Sequence, residues 1–278
     1  MCSSDLVGDA AHREYVALPR AGIAAQHPQV AGLAPVFALA QHGAELHDVG
    51  QAKVQALTGE RMHRVCRIAC QCPGIAIAQW GHSPPEPMEI PGEPELAKQI
   101  LSTLLDDEFD VSHLNQLPKG RHEHASIPHA YGFIYRRIMH DKVQPNVPVF
   151  INTFYPPNQP TLRRSYKLGK SIGKAIREWD SDKTVAVFAS GGLTHFVVEE
   201  DIDEMVLNAF RGKDDEALMN MPRERFNSGT SEIRNWIALA GAMSDTELEM
   251  KLVDFQPCYR SVAGTGNAMG FAYWNGAK

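Results

Sequence analysis

The sequence lacks the features that mark membrane, nucleic-acid-binding and secreted proteins. Its 278 residues contain no uninterrupted apolar run near the ~18–20 residues that a membrane-spanning helix needs. They contain no block of lysine and arginine, and the formal net charge is -6, which disfavours a nucleic-acid or anionic-lipid partner. The start MCSSDLVGDAAHREY lacks the basic and then apolar profile of a secretory signal. We therefore predict a cytoplasmic protein whose partner is a small molecule or another protein.

Cysteine is too sparse to build the fold. Five cysteines in a chain of this length do not form a disulfide framework. Cys66, Cys70 and Cys72 lie close together, but their spacing lacks the CxxC pairs that are typical of zinc and iron–sulfur sites. We interpret this cluster as a chance arrangement.

The sequence that is present changes in character near residues 75–84. Residues 1–82 hold half of the histidines and four of the five cysteines, without a sustained strand pattern. Their apolar stretch at 30–40 is compatible with a buried segment, although glycine and proline interrupt any long helix there. We interpret residues 1–82 as an atypical amino-terminal segment, frame-shifted or replaced, and residues 83–278 as the domain that carries the function.

Regular structure is readable in the second part. Apolar residues at helical spacing predict helices at 94–106 and 160–179. Continuous apolar runs predict buried strands at 147–154 and 184–190. We expect a single α/β domain whose central sheet, mostly parallel or mixed, is flanked by helices. Such a sheet binds ligands at the carboxyl ends of its strands.

A histidine follows the second of these strands. Gly191 and Gly192 permit a sharp turn and the close approach of a ligand, and His195 is suited to proton transfer near neutral pH. The structural alternative is a histidine that caps the strand end by bonding to backbone.

An acidic residue heads an apolar helix further along the chain. Residues 228–231 (SGTS) predict a turn and a helix N-cap, which puts Glu232 in the first helical turn. A carboxylate there complements the helix dipole and needs no catalytic role. It is equally suited to point inward at a metal, and the spacing does not decide between the two.

Three histidines lie together in residues 121–129 (RHEHASIPH). His122 and His124 share a face only in a strand, and Pro128 breaks regular structure before His129. We predict a polar loop that lines a pocket.

A hydrolase is disfavoured, although residues 169–173 (GKSIG) fit the pattern G-x-S-x-G. The match lies inside the predicted helix at 160–179, whereas a nucleophile elbow needs a strand-to-helix turn. We interpret this match as chance.

Four stretches together resemble one family. They are VPVFINTFYPPNQP at 147–160, VAVFASGGLTHF at 185–196, SGTSEIRNW at 228–236 and YRSVAGTGNAMGFAYW at 259–274. From about Pro84 to Trp274, the chain resembles the catalytic subunit of class III extradiol ring-cleavage dioxygenases, a family that includes protocatechuate 4,5-dioxygenase and gallate dioxygenase. Four matches in the family's order are more specific than any one of them.

The resemblance implies a non-haem Fe(II) held by two histidines and one glutamate, with open positions for a catecholate and dioxygen. By resemblance, Glu232 corresponds to the carboxylate ligand and His195 to the acid–base residue that handles the protons of the catechol. Either His124 or His129 resembles the pocket histidine of the middle loop. We expect these histidines and Thr194 to contact the substrate. A homodimer or a small helical partner subunit is the assembly that the family implies.

The amino-terminal segment departs from the family pattern. The family places its first iron-binding histidine in a Ser-His-x-Pro motif after the opening strand, and its second after another strand; neither motif is present here. His12 and His63 lie near the corresponding positions and are the candidate ligands. Two hypotheses follow: an Fe(II)-dependent extradiol dioxygenase that cleaves a catecholic or gallate-like ring, and a dioxygenase-like scaffold or binding protein that has lost its amino-terminal iron ligands.

Overall fold

The computed structural model describes residues 36–41, 66–69, 76–77, 90–114, 126–127 and 129–276. These residues all fall within a compact unit that spans Ala34–Lys278. The predicted site residues His12, His63 and His124 lie outside the described residues. No helix in the described ranges is long and apolar enough to cross a membrane.

Strands and helices are interspersed along the described ranges. The strands are β1 Val36–Gln41, β2 Cys66–Ala69, β3 Ala76–Ile77, β4 Val111–Leu114, β5 Ser126–Ile127, β6 Asn146–Ile151, β7 Ala186–Ala189, β8 His195–Val197, β9 Leu248–Tyr259 and β10 Thr265–Gly276. The α-helices are α1 Pro94–Asp106, α2 His129–Phe133, α3 Leu162–Arg177, α4 Glu200–Arg211, α5 Asp215–Asn220 and α6 Ile233–Met243. A π-helical turn at Ile134–Ile138 continues α2, and 3-10 helices cover Arg223–Arg225 and Ser228–Glu232.

Five strands lie side by side in the order β4, β2, β6, β1 and β7. Strand β1 pairs in parallel with β6 on one side and with β7 on the other. Strand β2 pairs in parallel with β4 and antiparallel with β6, so the sheet is mixed. A second, antiparallel sheet has the order β8, β10, β9. The described residues thus confirm a mixed α/β class.

The predicted elements of the second part are present, with shifted ends. Helix α1 has the predicted bounds, and α3 and β7 lie inside the predicted ranges. Strand β6 ends at Ile151 because the Asn152 side chain turns the chain: its Oδ1 accepts from the Tyr155 amide and its Nδ2 donates to the Tyr155 carbonyl. The loop predicted at 121–129 is instead interrupted by β5 and the start of α2.

Strand β1 was not predicted as a strand. It lies in the predicted atypical segment, and its residues overlap the apolar stretch at 30–40. In the sheet it separates β6 from β7, so the connection from β6 through α3 to β7 crosses over one intervening strand. The boundary at residue 82 stays a prediction.

Glycines bring α3 and α6 into backbone contact. A Cβ atom on Gly169 would lie 1.7 Å from the Ala238 carbonyl oxygen, and one on Gly241 would lie 2.1 Å from that of Tyr166. No side chain fits at either position, so the two helices touch along their backbones. The contact sets the position of α6, and therefore of the residues at its amino end, relative to the sheet.

We expect Gly169→Ala to lower the free energy of unfolding by about 2 kcal/mol or more, because an inserted methyl group must push the two helices apart. Denaturant unfolding measures this change. Lys167→Ala is the matched control, since Lys167 is exposed on the same helix, and it should change the free energy of unfolding by less than about 0.5 kcal/mol. Equal values for the two variants would contradict the close contact.

Candidate functional site

His195 begins β8, after the glycine turn that follows β7. Its ring is largely buried, with 12% of the side chain exposed. The ring Nδ1 lies 2.9 Å from the Leu193 carbonyl oxygen. Because a carbonyl oxygen only accepts, Nδ1 carries a proton and donates it there. The other nitrogen, Nε2, lies 3.5 Å from Oε1 of Glu232.

Glu232 ends the 3-10 helix that precedes α6. It is therefore the N-cap residue of α6, and not the predicted first-turn residue, because residues 228–232 form a 3-10 helix. Its Oε2 accepts a hydrogen bond of 2.8 Å from the Gly192 amide. Gly191 has a φ of +154°, and a Cβ atom there would lie 3.0 Å from the Glu232 Cβ. Glycine at 191 thus gives the carboxylate its room.

One face of α6 holds the whole glycine turn. The Asn235 Nδ2 donates to the Ser190 carbonyl at 2.8 Å, and the Trp236 Nε1 donates to the Gly191 carbonyl at 3.0 Å. Together with Glu232, these side chains bind three consecutive backbone positions, which we call the 190–192 turn. Their spacing of three and four residues places them on one face of a helix. The turn is therefore positioned by α6.

The 3-10 helix also packs directly on the backbone of His195. The Thr230 Oγ1 accepts from the His195 amide at 3.3 Å and lies in donor range of the His195 carbonyl at 3.2 Å. A Cβ atom on Gly229 would lie 2.3 Å from that carbonyl oxygen. The segment that carries Glu232 therefore also fixes His195, and the positions of the two side chains are coupled.

Thr194 has a different role from the predicted substrate contact. It is fully buried, its hydroxyl donates to Oδ2 of Asp203 at 2.7 Å, and the same hydroxyl accepts from the Glu199 amide at 2.8 Å. Its amide donates to Oδ1 of Asp203 at 2.8 Å. The Thr194 side chain is thus hydrogen-bonded to residues at the start of α4, and these bonds hold β8 in place.

The environment of His195 favours its protonated form. Burial alone lowers the pKa of the imidazole, but the hydrogen bond and charge of Glu232 outweigh burial, and the Leu193 carbonyl adds to their effect. The net result is a pKa above the usual 6.5. An imidazole of this kind can hold a proton and release it beside a carboxylate.

The remaining predicted residues are only partly described. His129 begins α2, and the Ser190 Oγ donates to the Ala130 carbonyl at 2.8 Å, so the start of α2 lies beside the 190–192 turn. Within the described ranges, no group of three histidine, cysteine or acidic residues is arranged to hold a metal. The described ranges therefore do not make a metal site by themselves.

Sequence reasoning missed four residues that support the site: Ser190, Asp203, Asn235 and Trp236. A signal for two of them was present, because Asn235 and Trp236 carry polar atoms in a helix that is, apart from Arg234, otherwise apolar. Their spacing from Glu232 is that of one helix face. Nothing in the sequence pairs Asp203 with Thr194.

Comparison with known proteins decides the family. Residues 76–266 match the family model described as the catalytic LigB subunit of aromatic ring-opening dioxygenase. The chain belongs to this family. Gallate dioxygenase of Pseudomonas putida is 30% identical over 124 residues, which are 44% of this chain and 34% of that protein. The chain thus matches about a third of the length of this curated relative. The resemblance predicted from the four motifs is confirmed, and the LigB match contains both His195 and Glu232.

We expect Asp203 to add stability at low pH. Burial raises the pKa of its carboxyl group above 3.8, although the hydrogen bonds from Thr194 oppose that shift. A raised pKa in the folded state gives stability that is lost as the pH rises through it. The difference in the free energy of unfolding between the parent and the Asp203→Asn variant (parent minus variant) should therefore decrease as the pH rises from about 4 toward 7. Denaturant unfolding over this range measures the difference.

Asp201→Asn is the control with the opposite sign. The Arg225 side chain, through its hydrogen bond, lowers the pKa of the exposed Asp201 carboxyl, so the contribution of Asp201 is present at higher pH and is lost as the pH falls. Slopes of the same sign for the two variants would contradict the account of Asp203.

Proposed function

We propose that the chain is a non-haem Fe(II)-dependent extradiol dioxygenase that cleaves a catecholic or gallate-like ring and inserts both atoms of dioxygen. One observation carries the proposal. In a member of the LigB family, a carboxylate bound to the Gly192 amide lies 3.5 Å from a buried imidazole, beyond the carboxyl end of β7, the last strand in the order of the described five-stranded sheet. This is where an α/β sheet binds its ligands.

Glu232 is the residue proposed to bind the iron, and His12 and His63 are proposed as its other ligands. Two histidines and one carboxylate are the ligand set that suits Fe(II) oxygenases. The bound ion would supply a path for electrons between the ring and dioxygen, with open positions for both. The Gly192 amide, by occupying Oε2 of Glu232, leaves Oε1 as the oxygen that faces His195.

His195 is proposed as the acid–base residue. The Leu193 carbonyl holds a proton on Nδ1, so the ring presents a lone pair on Nε2, toward Glu232, once Nε2 has given up its own proton. A substrate hydroxyl placed next to Glu232 can pass its proton to that nitrogen. Burial of the ring keeps water from competing for the proton.

The proposed substrate contacts are His124 and His129. The hydrogen bond from Ser190 to Ala130 supports His129, because it places the start of α2 beside the 190–192 turn. Thr194 is not proposed as a contact, since its hydroxyl is engaged by Asp203 and Glu199. A homodimer or a small helical partner subunit stays a prediction.

The alternative function is a dioxygenase-like scaffold or binding protein. The observation that favours it is in the sequence, which lacks both of the family's amino-terminal histidine motifs. Iron content separates the two functions, because a scaffold without its amino-terminal ligands would not retain the ion.

Dioxygen uptake after anaerobic loading with Fe(II) tests the proposed function. Protocatechuate, gallate and simple catechols are offered in turn to the purified chain. We expect uptake together with a coloured ring-fission product for at least one of them. No uptake with any substrate, from protein that circular dichroism shows to be folded, would favour the scaffold.

Substitutions separate the two proposed roles. Glu232→Ala should reduce bound iron from about one per chain to none, because it removes a charged ligand. His195→Ala should keep that iron but lower turnover by ~10²–10⁴, the usual cost of losing a general base. Metal analysis and steady-state rates measure both effects.

Glu232→Gln is the matched variant for the first substitution, since an amide oxygen still accepts from Gly192 but carries no charge. Iron loss in Glu232→Gln as well as in Glu232→Ala would assign the effect to the charge. Iron loss in His195→Ala, with iron retained in Glu232→Ala, would reverse the two roles.

A further inference from the structure

Arg234 is a buried cation without a counter-charge. It lies two residues after Glu232, and its side chain is fully buried. In the described part of the chain, no carboxylate lies within ion-pair distance of its guanidinium group. Burying an unpaired charge is costly, so a structural role that an apolar side chain could fill does not account for it.

The guanidinium group binds three carbonyl oxygens from two segments of the chain. Its Nε donates to Pro160 at 2.8 Å, just before α3. Its Nη1 donates to Phe226 at 2.6 Å and lies 3.3 Å from the Ser231 carbonyl oxygen. Only a planar fork of donors reaches all three, since a lysine presents a single ammonium group. The Nη2 atom is buried and has no partner.

These carbonyls belong to the segment that builds the site. Phe226 and Ser231 bracket Gly229 and Thr230, which pack on the backbone of His195. Ser231 immediately precedes Glu232. Through the Pro160 carbonyl, the same guanidinium group ties this segment to the start of α3.

We propose that Arg234 is a positioning residue, which holds Glu232 against the Gly192 amide and holds residues 226–231 against His195. It touches neither reacting group and acts through backbone carbonyls. Its effect on turnover rests on the proposed function, whereas its effect on geometry does not.

Amide hydrogen exchange of the full-length, metal-free chain tests the geometry, with the Gly192 amide as the probe because it donates to Glu232. The Ala238 amide, inside α6, serves as the internal reference. In Arg234→Met, the ratio of the Gly192 rate to the Ala238 rate should rise about tenfold over the parent, since local opening at the turn is then uncoupled from α6. An unchanged ratio would overturn the proposal.

Two further variants keep the test decisive. Ile172→Ala removes buried apolar contacts in α3 and lowers the stability of the whole domain. Both amides should then exchange faster by the same factor, and the ratio of their rates should stay unchanged. Arg234→Lys keeps the charge but not the fork, and its ratio should rise about threefold. If Arg234→Met does not fold, Arg234→Lys decides by the same measure: a raised ratio supports the proposal and a parental ratio overturns it.

Steady-state kinetics of the iron-loaded chain form a separate arm. Arg234→Met should lower kcat about tenfold or more and leave KM near the parental value, because substrate contacts are untouched while Glu232 and His195 lose their alignment. A higher KM with kcat unchanged would overturn the positioning role in catalysis. If the parent itself shows no turnover, the proposed function fails while the exchange ratio still decides the role of Arg234.

Discussion

The structure of the site depends on one interaction, the hold of α6 on the 190–192 turn. Glu232, Asn235 and Trp236 each bind one backbone position of that turn, and the close packing of α3 on α6 fixes the helix that carries them. A carboxylate bound in this way cannot swing into solvent. Because the same segment packs on His195, the distance between carboxylate and imidazole is a property of the fold.

Two buried polar side chains, Asp203 and Arg234, hold β8 and residues 226–231 in place around the site. Asp203 receives the amide and hydroxyl of Thr194 and thereby attaches β8 to α4. Arg234 attaches residues 226–231 to the start of α3. Burying either of these groups costs free energy, and hydrogen bonds offset that cost: two from Thr194 to Asp203, and those from Arg234 to backbone carbonyls.

The sequence predicted the local structure of this region well, and its three-dimensional arrangement poorly. Helix α1 has its predicted bounds because a regular apolar period and a proline start define it. The substrate contact expected of Thr194 followed from the family resemblance. In the structure its hydroxyl is bonded to Asp203 on the following helix, and residue types alone do not pair the two. The place of β1 between β6 and β7 depends on pairing with distant strands and leaves no local signal.

The central claim is that Glu232, fixed by the 190–192 turn, is the carboxylate ligand of iron. Anomalous diffraction at the iron absorption edge, from crystals of the chain grown anaerobically with Fe(II), tests it most directly. The account predicts a single strong peak at about 2.0–2.2 Å from a Glu232 carboxylate oxygen, the usual metal–carboxylate distance, with His195 beside the ion but not bound to it. A peak away from Glu232, or no peak from crystals that were grown with Fe(II), would contradict the claim.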